Sequence, residues 1–217
     1  MTPGWGLALF LCGLCWLCLW SRTWRLLGIV PMLAGFLTPF FHSLPDVVIT
    51  PDGGLVAVRE GGQLLMSGQS RDAWFERRAL EQAFARPIMS LPLHGETASG
   101  DLTCGEDGAE GVCVLTRGKH SVLLRVDDTT DGQAILPPGI CQGMDLFMAM
   151  SPARSSCRGV PTIDRFTVWR EGAVAVWMTD SGVKILSDRQ WSGDRLWVMR
   201  PGRHGVPNLP LAKEDER

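Results

Sequence analysis

Gly4-Trp5-Gly6-Leu7-Ala8-Leu9-Phe10-Leu11-Cys12-Gly13-Leu14-Cys15-Trp16-Leu17-Cys18-Leu19-Trp20 carries no charge and no polar face. At roughly 1.5 Å of rise per residue it reads as an apolar helix long enough to cross most of a bilayer core. A second uncharged run, Leu26 to Phe41, follows the turn Ser21-Arg22-Thr23-Trp24-Arg25 and is interrupted by Pro31 and Pro39. Membrane helices tolerate such prolines where neighbours satisfy the freed carbonyls. The expectation is a transmembrane helical hairpin over residues 1–44. A cleaved signal peptide fits less well, because no basic flank precedes Trp5.

Arg22 and Arg25 bracket the turn, which the positive-inside tendency places in the cytoplasm. Residues 45 onward then lie on the extracytoplasmic side. Cys12, Cys15 and Cys18 sit in the apolar run and read as polarizable packing residues.

The remaining chain is long enough for one soluble domain with a real core. Its charges are mixed, 21 basic against 23 acidic in the whole sequence, so no broad cationic stripe advertises nucleic acid. Cys104, Cys113, Cys141 and Cys157 are an even set in a compartment that favours disulfides. Three connectivities are open; loop closure favours near neighbours, Cys104 with Cys113 and Cys141 with Cys157. A four-thiolate zinc site would want ligand pairs two to four residues apart, and these are wider.

From residue 45 the pattern is strand-rich. Pro45 to Thr50, Leu55 to Arg59 and Gln63 to Ser67 alternate with the turns Asp52-Gly53-Gly54 and Glu60-Gly61-Gly62, which predicts a three-strand meander. A helix capped by Ser70 is expected through Phe84. Further strands are expected at 101–104, 112–116, 121–126, 145–150, 162–166, 168–170, 173–178 and 183–186. Residues 201–217 are Pro-, Gly- and charge-rich and read as a disordered tail. The fold expected is two transmembrane helices followed by a strand-rich α+β domain over 45–200.

The candidate chemistry is sparse. His94 stands alone, and Asp127, Asp128 and Asp131 fall in a turn where Asp and Gly are favoured for backbone reasons.

Several features in order resemble a known family. They are Arg25-Leu26-Leu27-Gly28, Pro45-Asp46, Asp52 to Arg59, the Cys104 and Cys113 pair, Ser151-Pro152-Ala153-Arg154, Cys157-Arg158, Ile163 to Phe166, and Trp169 to Ala173. This order resembles the C-terminal part of the ComEC competence family of alphaproteobacteria, inner-membrane proteins associated with DNA uptake. The resemblance implies the last membrane helices plus the domain after them, where fuller members carry a metallo-β-lactamase-like domain. It therefore admits a degenerate form of that fold. The family's His-x-His-x-Asp-His metal motif has no counterpart here, so no catalytic residue, metal or cofactor is carried over. The expected function is non-catalytic, as a split or truncated portion of a DNA-uptake protein. Its partners would be the lipid bilayer, the remaining channel portion and single-stranded DNA. Arg71, Arg77, Arg78, Arg154, Arg158, Arg165 and Arg170 are the candidates for phosphate contact. Two alternatives remain: a degenerate hydrolase binding metal through some of Asp127, Asp128, Asp131, Asp145 and His94, and an interaction domain unrelated to DNA.

Overall fold

A computed structural model describes residues 4–38, 43–67, 73–92, 94–97, 99–105, 111–126, 136, 139–153 and 157–193. The chain divides into two units, Met1–Leu44 and Pro45–Arg217.

In the first unit, α1 (Gly4–Leu19) is followed by a 3-10 segment (Thr23–Gly28) and by α2 (Ile29–Leu37). Among the described residues no helix is long and apolar enough to cross a membrane, which overturns the transmembrane expectation. The lengths explain it. α1 has 16 residues, about 24 Å of rise against a core of about 30 Å, and the second run is split between 6 residues of 3-10 helix and 9 of α-helix. Pro31 contributes to the split. With α2 starting at Ile29, it occupies the first turn, where its missing N–H leaves no carbonyl unpaired.

The two arms meet backbone to backbone through glycine. A Cβ on Gly13 would lie 2.6 Å from the Gly28 carbonyl oxygen, and one on Gly35 would lie 2.5 Å from that of Gly6. Side chains therefore cannot occupy this seam.

Among the described residues, the second unit is mixed α/β with two six-stranded sheets. Sheet A has the order β12-β11-β1-β2-β3-β4 and sheet B the order β10-β9-β8-β7-β6-β5. Sheet A contains β1 (Val47–Ile49), β2 (Val56–Glu60), β3 (Gln63–Ser67), β4 (Ile88–Ser90), β11 (Val174–Thr179) and β12 (Gly182–Ser187). Sheet B contains β5 (Gly95–Glu96), β6 (Leu102–Cys104), β7 (Val112–Arg117), β8 (His120–Arg125), β9 (Leu146–Ala149) and β10 (Thr162–Ile163).

The meander forms: β1, β2 and β3 pair antiparallel, with Val47 opposite Val58 and Val58 opposite Leu65. The α+β expectation, including its degenerate metallo-β-lactamase-like form, is overturned by how the chain continues. β3–β4, β8–β9 and β9–β10 are parallel, and parallel neighbours require crossovers. Helix α3 (Ala73–Phe84) is the crossover between β3 and β4, and α4 (Arg165–Glu171) carries the chain from sheet B back to sheet A. Where strands 162–166 and 168–170 are expected, β10 stops at Ile163 and α4 begins. Asp164 is the reason: its carboxylate accepts the Thr167 backbone N–H and hydroxyl, capping a helix in place of a strand. After β12, Ser187 and Gln190 form a capping box that starts α5 (Asp188–Ser192), an element not expected from the sequence. The predicted cap Ser70 and the tail 201–217 lie outside the described residues.

One core joins the sheets. Val47, Val56, Val58 and Val176 of sheet A pack in one cluster with Leu102, Leu115, Val122 and Met148 of sheet B. Burying each such side chain contributes about 1.5–3 kcal/mol. The opposite face of sheet B is covered too: Leu123 and Phe147 pack with Ile140, Met144 and Val160 from the flanking loops. All four residues of β9 are accordingly buried, as a parallel strand covered on both faces should be.

Both disulfides form, Cys104–Cys113 and Cys141–Cys157, and they secure different layers. The first links directly opposed residues of β6 and β7 inside the inter-sheet core, and the second fastens the loops over the outer face of sheet B.

Candidate nucleic-acid interface

The sequence of α3 places four residues that do not serve the core at its N-terminal half. Phe84 is the buried anchor of this helix, while Trp74 and Phe75 are 61% and 70% exposed. The two rings meet edge to face at 4.8 Å, and the Arg78 guanidinium lies 5.4 Å from the Trp74 ring centre. Ring quadrupoles favour both arrangements. Arg77 is also exposed, but it pairs with Glu81 at 3.6 Å and reaches the Ile88 carbonyl, so its charge is partly offset on its own helix.

A second set lies on α4. Arg165 is exposed in its first turn, against Gly53 of the β1–β2 turn, and Arg170 donates its Nε–H to the Phe166 carbonyl. Phe166 and Trp169, three residues apart, both face outward. Trp191 on α5 is exposed as well, and Arg189 ties the two helices by donating to the Arg170 carbonyl.

Of the arginines expected to meet phosphate, Arg77 and Arg78 thus sit on α3, Arg165 and Arg170 on α4, and Arg158 is exposed just after Cys157. Arg71 and Arg154 lie outside the described residues. The candidates do not share one element. What sequence reasoning missed is their aromatic company. The sequence offered no signal for it, because Trp74 and Phe75 look like core residues of the expected helix and Phe166 and Trp169 fall in segments expected as strands.

Among the described residues, the candidate metal ligands His94 and Asp145 are not part of any cluster that could hold a metal. Asp127, Asp128 and Asp131 lie outside the described residues, and His94 is exposed in a loop. Asp145 takes a different role. Its carboxylate is 3.1 Å from His120 Nδ1 and accepts the Ser121 backbone N–H, joining the starts of β8 and β9. Among the described residues no three His, Cys, Asp or Glu side chains converge as a metal site would require.

Two buried carboxylates serve the fold. Asp46 accepts from Arg59 and Arg117 and from the Met178 backbone N–H, while Glu60 accepts from the hydroxyls of Thr97 and Ser99. Each connects sheet A to sheet B or to its turns. The chain matches no protein-family model, no curated protein and no solved structure.

Proposed function

We propose that this chain is a non-catalytic, ComEC-type component of DNA uptake. It works at the bacterial inner membrane, with its N-terminal hairpin associated with the lipid bilayer, its second unit on the periplasmic side and a separately supplied channel portion as partner. The order of sequence features described above motivates the family, and the two disulfides suit an oxidising compartment.

The observation that carries the DNA reading is Arg78 over the exposed Trp74 ring, with Phe75 alongside. Exposed aromatic faces beside guanidinium groups offer stacking to bases and charge to phosphates, which is what single-stranded DNA requires. The test is a titration of the oxidised full chain against single- and double-stranded DNA over a range of salt. Affinity should fall steeply with salt, the slope should shrink by about one in Arg78→Gln, and Trp74→Ala should cost about 1–3 kcal/mol per stacked base. Absence of binding, or binding indifferent to salt and to both substitutions, overturns the reading.

A further inference from the structure

The hairpin of the first unit exposes apolar side chains everywhere except along its glycine seam. On α1, Trp5, Leu7, Leu11, Leu14 and Leu19 point outward in widely separated directions, and only Gly6 and Gly13 are buried. On α2, Val30, Leu33 and Phe36 are equally exposed. A partner helix covers one stripe of its neighbour, whereas a surface apolar on all remaining sides calls for a surrounding apolar medium.

The charges follow a different rule. Arg22 and Arg25 are the only Lys, Arg, Asp or Glu residues between Met1 and Leu44, and both lie exposed at the tip joining the arms. Indoles frame them. Trp16 stacks on Trp20 at 5.4 Å and donates its N–H to the Trp24 carbonyl at 3.1 Å, while Trp20 and Trp24 remain exposed. Tryptophan beside arginine is the composition of a head-group boundary, where an amphipathic ring has one apolar and one wet environment.

We infer that this tip binds the phosphate head groups of anionic phospholipids, with Arg22 and Arg25 as the phosphate contacts and Trp20 and Trp24 at the boundary with the acyl chains. An apolar surface with two cations confined to one end complements an amphiphile that has an acyl body and an anionic head. The inference rests on the bilayer association proposed above and narrows it to a lipid class.

The discriminating experiment is co-sedimentation of the full chain with phosphatidylcholine vesicles, with and without phosphatidylglycerol, alongside Arg22→Gln, Arg25→Gln and the double variant. The whole chain carries a net charge of −2, so overall charge would oppose binding to anionic vesicles. Phosphatidylglycerol should nevertheless raise partitioning by about fivefold for each tip arginine. The double variant should lose that gain while keeping its binding to phosphatidylcholine, and high salt should reproduce the loss. Binding to phosphatidylcholine with no gain on phosphatidylglycerol, or a gain that survives in the double variant, overturns the head-group assignment and leaves bilayer association standing. Loss of the gain to inorganic phosphate at matched ionic strength would make the ligand free phosphate, which also overturns it. Failure to bind either vesicle overturns both readings.

Discussion

Asp46 and Arg117 meet across the two sheets although 71 positions separate them in sequence. One oxygen of the buried Asp46 carboxylate takes both the Arg117 and the Arg59 guanidinium, and the other takes the Met178 N–H. Arg117 completes the joint by donating to the Arg59 carbonyl. β1, β2 and β11 are thereby tied to the end of β7 at one corner of the core. Asp46→Ala would strip Arg59 of its carboxylate, leave Arg117 only Asp101 at 3.8 Å and orphan the Met178 N–H, and it should cost about 1.5–3 kcal/mol in urea denaturation. A double-mutant cycle of Asp46→Asn with Arg117→Met should show strong coupling; simple additivity would mean the contact is inert.

The first disulfide should matter more than its short loop suggests, because it lies within the packed core. Replacing Cys104 and Cys113 together by Ser should lower stability by about 2–4 kcal/mol. Non-reducing peptide mapping should recover Cys104 with Cys113 and Cys141 with Cys157. Any crossed pair would contradict the layer assignment of the two bridges.

Asp164 decides that the chain turns into α4 where the local pattern favours a strand. Asp164→Ala removes the acceptor for the Thr167 N–H and hydroxyl and also for the Ala153 N–H. A loss of about 1–2 kcal/mol is expected, read as a shift in denaturation midpoint without a change in slope. Asp164→Asn should recover most of it, since an amide oxygen can still cap.

Gly13 faces Gly28 too closely for any side chain. Gly13→Ala should force the arms apart at a cost of about 1–3 kcal/mol, and Gly13→Leu should separate them fully. Spin labels placed on α1 and α2 would report the change as a lengthened distance. An unchanged distance in Gly13→Leu would refute the backbone contact.

Local patterns in the sequence carried much of the strand content. Val56-Ala57-Val58 between two Gly turns is enough to specify β2, and Gly118 between β7 and β8 is enough to reverse the chain. Those signals act over a few residues. The exposed aromatics of α3 were not legible in the same way, because Trp74 and Phe75 look like core residues until the helix is seen to bury Phe84 and leave both rings exposed. Asp145 likewise reads as the first residue of a strand and a candidate metal ligand until β9 lies parallel to β8 and brings it to His120.

What the sequence determined by itself is the apolar hairpin, its two arginines at the turn and the β1–β2–β3 meander, while for the cysteines it held a preference for the short loops that the structure then decided. Each depends on composition or spacing within a short window. Tertiary structure alone decided that the described strands sort into two sheets with three parallel pairs, and that Asp46 finds Arg117. Those outcomes depend on which distant faces bury one another, and the free energy of that burial belongs to the pair of surfaces and is written in neither stretch alone.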